Sequence, residues 1–406
     1  MNKSAPLSLE DAQARLLALA TPLPIERVDI EGAYNRYLAE PLYARRTQPP
    51  ANLSAMDGYA VTAGDLQGPW RVIGESAAGH PHVGALSTGE AVRISTGAIL
   101  PVDAAAVILQ EDLARDAEIL TLSGEAPDPA HKHIRHRGMD FVTGTEIMLP
   151  GARITPAQMA LAIASGHTHL PVHRTPRLAV IDSGDELAEN PECCATHQIP
   201  ASNGVMLAAM ASALGVDAKR VGPVPDDIDT ITRAFEASDD VDLIVTSGGA
   251  SVGDHDLIRP ALERWGASID FWRVAIKPGK PILVATRELT GRRQIILGLP
   301  GNPVSSYVTA YHFLLPLLRA MQGAARPLPM RLAARLSMPL RANGRRREFL
   351  RGWWDGESVT VNALQDSGAL SSLAASNVLV DRAAMAAPAA AGDEVRIFLL
   401  QNDGIA

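Results

Sequence analysis

Two of the five lysines in this chain stand three residues apart in Ala275-Ile276-Lys277-Pro278-Gly279-Lys280-Pro281, although 32 of the 37 basic residues are arginine. A lysine ammonium is a compact point charge, able to enter between anionic groups where a broad guanidinium fits less closely. Pro278 and Pro281 restrict the backbone around the pair, and Gly279 lets the turn close. Two more stretches suit anions. Residues 247–254 read SGGASVGD, where Gly248, Gly249 and Ser251 leave backbone N–H groups unobstructed. Residues 299–306 read LPGNPVSS, with Pro300 and Pro303 leading into a predicted helix whose free N–H groups can take phosphate or an oxyanion. A plain tight turn and an ordinary helix start capped by Asn302 are the structural alternatives. Carboxylates accompany these loops as Asp185 and Glu186, Asp226 and Asp227, and Asp254 and Asp256. Magnesium takes a few carboxylates plus water and bridges to ligand phosphates, so the three acidic loops taken together predict a phosphate and Mg²⁺ site. Taken singly, each Asp reads as a helix cap or turn former.

Other chemistries lack their motifs. Lys280 is followed by Pro281 and not by Ser or Thr, so the glycine loop is no Walker sequence, and it is not a GxGxxG fingerprint. There is no GxSxG elbow and no HExxH. The histidines of HKHIRH, His131, His133 and His136, lie in a loop rich in Pro, Gly and charge and read as a solvated surface.

The elements that must position the loops follow from apolar spacing. RLAVID (177–182) is a short buried strand, NGVMLAAMASALG (203–215) has helical periodicity with a closing glycine, and DIDTITRAFEAS (227–238) is a second helix. VDLIVTSGGASVG (241–253) runs from strand into loop, LIRPALERWG (257–266) is helical, and PILVAT (281–286), QIILGLPG (294–301) and a helix from Pro303 follow. Such alternation implies a doubly wound, mostly parallel α/β sheet, whose ligands sit beyond the carboxyl ends of the strands. That rule puts SGDEL, SGGASVGD and LPGNP on one rim. Residues 8–20 and 154–166 read as helices, residues 46–140 as a β domain, and residues 325–406 as a compact C-terminal β-barrel.

At 406 residues, with 47% hydrophobic and 20% charged positions, the chain is long enough for several globular domains. No apolar segment is long enough to span a bilayer and no secretory leader is evident, which predicts a cytoplasmic protein that meets no membrane. The adjacent Cys193 and Cys194 agree with a reducing compartment. A net charge of −8 gives no reason to expect a nucleic-acid partner.

SAMDGYAV (54–61), STGAILP (95–101), SGDEL (183–187), TSGGASVGDHD (246–256), AIKPGKP and GLPGNPVSS occur in one order, and together they resemble the MoeA family of molybdopterin molybdenumtransferases, which includes the gephyrin E domain. The resemblance implies four domains: an elongated dimerisation domain of residues 1–45 plus 141–172, an inserted β domain of 46–140, a molybdopterin-binding α/β domain of 173–324 and a β-barrel of 325–406. It further implies a homodimer whose active sites combine the α/β and barrel domains of one subunit with the inserted domain of the other. The implied reaction inserts molybdate into the dithiolene of adenylated molybdopterin with Mg²⁺-dependent release of AMP. Functional acids fall on Asp57, Asp140, Glu186, Asp226 and Asp256, with Glu186, Asp226 and Asp256 as metal ligands; a hydroxyl falls on Thr96 and the leading lysine on Lys277. Substrate contacts fall on the glycine loop, Lys280, the LPGNP prolines, the molybdate-anchoring Ser305, the barrel arginines Arg346 and Arg351, and Ser371. The enzyme that adenylates molybdopterin and the molybdoenzymes that receive the cofactor are the implied partners. The chain departs from the family pattern at Arg273, at Met139 in GMD, and at Ala201-Ser202-Asn203. The adenylation step itself, a noncatalytic scaffold role and a tungstate-handling variant are the competing readings.

Overall fold

Residues 6–248, 257–279 and 281–400 are described by the computed structural model. The apolar runs between residues 178 and 299 become a six-stranded sheet in the order Ala218–Val224, Leu178–Ser183, Leu243–Ser247, Arg292–Leu299, Pro281–Leu289, Ser268–Arg273. The first four strands are parallel and the last two antiparallel. Side chains alternate between faces with period two. Leu178 and Val180 pack with helix Asn203–Ser212 and the helix starting at Pro303. Ala179 and Ile181 pack with Ile228–Glu236 and Ile258–Arg264 on the opposite face. Burial on both faces is why these strands read as continuous apolar runs. The edge strand Ala218–Val224, AKRVGPV, went unread in the sequence because its charges, Gly222 and Pro223 hide it; proline in a strand is a property of edges.

After the sheet the chain forms Pro303–Thr309, a π turn Ala310–Leu314 and Leu315–Met321 without a break. Pro316 has no N–H to offer the His312 carbonyl one turn back, and the Gln13 Nε2 donates to that carbonyl at 2.8 Å. The His312 ring is fully buried, 4.2 Å from the Phe349 ring and 4.9 Å from that of Phe398. Neither ring nitrogen has a hydrogen-bond partner. Burial first, then the charges of Arg347 and Arg331, push its pKa down to about 3, so the imidazole is neutral. Gln13 comes from helix Leu9–Leu17, capped by Ser8, which accepts from the Asp11 N–H at 3.0 Å.

Strands Leu332–Leu336, Arg347–Trp354, Ser358–Val361, Val378–Arg382 and Glu394–Leu399 close on themselves through pairing of the second with the fourth, giving a five-stranded barrel. Val359, Val378, Val380 and Ile397 fill its centre. A sixth, two-residue strand, Ile276–Lys277, joins this barrel in parallel with Arg347–Trp354. At the other end of the chain, Ile25–Asp29 pairs with His169–His173 and Leu42–Tyr43 with Glu146–Met148. Residues between these pairs fold into their own six-stranded sheet, from Gly58–Thr62 to Ile119–Leu122.

Candidate active site between the sheet and the barrel

A cleft of about 1120 Å³ opens where the carboxyl ends of the parallel strands meet the barrel. Asp182, Glu186, Gly248 and Pro300 line it from the strand ends, Pro303 and Ser305 from the helix start, Lys277 from the short sixth strand, and Arg346 and Glu348 from the barrel. Gln365, Asp366, Ser367 and Gly368 complete the barrel side.

Close backbone approaches hold these loops. Gly279 has φ +102°, and a Cβ there would stand 2.5 Å from Thr309 Cγ2, so only glycine lets the lysine turn lie against the helix that carries Ser305. The Lys277–Pro278 peptide is cis. Asn203 Nδ2 donates to Ser247 Oγ at 2.8 Å and to the Gly301 carbonyl at 2.7 Å, tying the glycine loop to the LPGNP loop. Asn302 does not cap its helix; its Nδ2 donates to Ser367 Oγ at 3.2 Å and links the rim to the barrel. The Lys277 ammonium meets the Glu348 carboxylate at 2.6 Å.

Acidic groups lie at the other side. Asp226 follows strand Ala218–Val224, and its N–H donates to Asp185 Oδ1 at 3.0 Å. Its carboxyl is held above the ordinary range, first by desolvation and then by the negative charges of Asp185 and Glu186, which outweigh the lowering effect of a backbone hydrogen bond. Among the described residues, no three His, Cys, Asp or Glu side chains converge as a metal site. Gly249, Ser251, Asp256 and Lys280 lie outside the described residues.

Six of the expected residues that are described do not line the cleft, Asp226 among them. Asp57 and Thr96 meet on the inserted sheet's surface, where Asp57 Oδ1 accepts from the Thr96 N–H at 2.6 Å and from its hydroxyl at 2.9 Å. Those two bonds, the backbone one first, hold the Asp57 carboxyl below its usual range. Asp140 is exposed on the segment returning from that sheet. Arg351 is 1% exposed and donates to the Leu364 carbonyl at 2.9 Å and to Ser372 Oγ at 3.2 Å, so it supports the cleft loop from within the barrel. Ser371 is exposed beside it.

Sequence reasoning missed Asp182, Glu348 and the Gln365–Gly368 wall. Asp182 ends an apolar strand, and only its position at the strand's carboxyl end signals it. It is 8% exposed; it accepts from the Gly204 N–H at 3.0 Å, and burial holds its pKa above the ordinary range.

Three family models cover most of the chain: the MoeA N-terminal region (domain I and II) over residues 7–166, a probable molybdopterin binding domain over 179–320, and the MoeA C-terminal region (domain IV) over 333–400. The molybdopterin molybdenumtransferase of Haemophilus influenzae is 34% identical over 353 residues, 86% of each chain. That of Synechococcus elongatus is 34% identical, covering 87% of this chain and 89% of its own. A solved structure of the molybdopterin biosynthesis MoeA protein from Pyrococcus horikoshii superposes with a TM-score of 0.82 at 26% identity, over 98% of this chain and 100% of that one. The chain belongs to the MoeA family. It is an enzyme of molybdenum cofactor biosynthesis, a molybdopterin molybdenumtransferase by its family.

Proposed function

We propose that the chain inserts molybdate into the dithiolene of adenylated molybdopterin and releases AMP in a Mg²⁺-dependent step. The observation that carries this reading is the cleft itself, where Lys277, Ser305 and Arg346 face Glu186 across a volume of about 1120 Å³. A tetrahedral dianion and a phosphate-bearing pterin need cationic and hydroxyl donors at close quarters, and these side chains supply them. Lys277, stapled to the barrel, fixes one anion, and Ser305, at the helix start, offers its hydroxyl, the Val304 and Ser306 N–H groups on either side being donated to the Ser367 and Asn302 carbonyls. Holding molybdate beside the dithiolene sulfurs is the main catalytic contribution, and no side chain need form a covalent intermediate.

The acidic side fits a divalent cation, because a bound cation relieves the repulsion that Asp185 and Glu186 exert on Asp226. Glu186 and Asp226, with Asp256, would hold it. When bound, Mg²⁺ neutralises charge on the phosphoanhydride and on departing AMP.

The separation of Asp57, Thr96 and Asp140 from the cleft supports a homodimer in which each inserted sheet completes the partner's site. The helix Pro156–Ala164, apolar around most of its circumference and with Ile163 60% exposed, supplies a surface for that association. The division into residues 1–45 plus 141–172, 46–140, 173–324 and 325–406 belongs to the same proposal. So does placement in the cytoplasm, between an adenylating enzyme and acceptor molybdoenzymes. Among the described residues no helix is long and apolar enough to cross a membrane.

Purified protein given adenylated molybdopterin, molybdate and Mg²⁺ is expected to release AMP and yield active cofactor. A folded protein that releases no AMP would overturn the reading. Pyrophosphate release from ATP and molybdopterin would favour the adenylation step instead, and competition by tungstate measures the oxyanion preference.

A further inference from the structure

We infer that Glu348 is a built-in competitor for the oxyanion at Lys277, so that anion binding proceeds by exchange of the ammonium's partner. This inference rests on Lys277 being the oxyanion anchor, as proposed above. Parallel pairing places Lys277 directly opposite Glu348, one residue beyond the Ile276 and Arg347 pair. The Arg347 N–H donates to the Ala275 carbonyl at 2.9 Å, and Arg346 Nη1 donates to the Ile276 carbonyl at 3.3 Å. Backbone geometry therefore holds the two side chains together, and the ammonium and carboxylate meet at 2.6 Å on the cleft wall.

Among the described residues, the cation next to Glu348 in sequence is committed elsewhere. Arg347, next in sequence to Glu348, is taken by Asp381 and by Glu10, the latter at 2.5 Å. The described lining carries four carboxylates, Asp182, Glu186, Glu348 and Asp366, against two cations, Lys277 and Arg346. An anion entering this cleft meets a lysine already neutralised by a carboxylate of its own sign. The Lys277 side chain is 53% exposed and that of Glu348 17%, so the ammonium has room to turn toward a ligand while Glu348 stays fixed in the barrel wall. A ligand that needs a site occupied by another group binds more weakly by the fraction of time that site is free. For a half-exposed ion pair this amounts to about a fivefold reduction in apparent affinity.

The test is calorimetric titration of sodium molybdate into the full-length protein at fixed ionic strength, with folding of every variant checked by circular dichroism. Glu348→Gln is expected to tighten molybdate binding about fivefold, and Glu348→Asp, which keeps the charge but draws it back by one methylene, to tighten it less. In a Lys277→Ala background the Glu348→Gln gain should vanish, because there is no ammonium to release. Unchanged or weaker binding by folded Glu348→Gln and Glu348→Asp would overturn the exchange while leaving Lys277 as anchor. An equal gain with and without Lys277 would also overturn it, pointing to simple removal of negative charge. Absence of molybdate binding by both wild type and Glu348→Gln would remove the anchor reading along with the inference.

Discussion

Lys277 and Gly279 sit two residues apart and fail in different ways. Lys277→Ala is expected to lower molybdate-dependent AMP release by about 100-fold with little change in melting temperature, because a half-exposed ion pair contributes little to stability while an oriented cation in the cleft contributes to the transition state. Lys277→Arg should restore only part of that rate, since the planar fork cannot reproduce a point charge. Gly279→Ala has the opposite signature. Its φ of +102° and the 2.5 Å approach to Thr309 Cγ2 predict a loss of about 1–3 kcal/mol in urea unfolding. Lysine scarcity and the Pro/Gly frame marked out this turn in the sequence, and the structure sets Lys277, Pro278 and Gly279 on the cleft wall. Glu348 was not, because its opposition to Lys277 comes from strand register between segments far apart in sequence, and nothing in RREFLR marks which side chain faces a ligand.

The long helix through His312 shows what elements add. His312 has a pKa of about 3 when folded against 6.5 for the free side chain, so the unfolded chain binds the extra proton between those values. Stability therefore falls as pH drops from about 6.5 toward 3, by up to about 1.4 kcal/mol per pH unit. His312→Phe is expected to flatten that acid limb in urea titrations between pH 4 and 7, and an unchanged pH slope would assign it to other groups. The helix start at Pro303 was legible from proline placement, and the buried strands from apolar runs. The π turn was not: it depends on Pro316 and on Gln13, which arrives from the chain's far end to bind the His312 carbonyl. The strand Ala218–Val224 was hidden for the related reason that an edge tolerates residues which centres reject.

For the whole molecule, six motifs in one order made the architecture legible, and the resemblance they carry already implied a site divided between two subunits; the coordinates add that Asp57, Thr96 and Asp140 stand away from their own chain's cleft. Asp57 and Thr96 bond each other on a sheet that does not line the cleft. If dimerisation joins them to a partner's cleft, separately inactive Asp57→Ala and Lys277→Ala chains, refolded together, should regain about a quarter of wild-type activity, since half the dimers are mixed and each mixed dimer holds one intact site. No recovery in a verified mixed dimer would show that Asp57 does not complete the partner's cleft. The strand Ile276–Lys277 carries a last consequence. In the gene, the barrel begins after residue 330, yet in space one of its strands is borrowed from the segment that leaves the α/β sheet. Recombination that exchanged residues 333–400 with a relative would transplant a barrel without its sixth strand and would test whether the new wall accepts the resident lysine. Modules separable on the chromosome are thus interlocked at Lys277, the proposed anion anchor, and successful chimeras should be those whose crossover lies before residue 275.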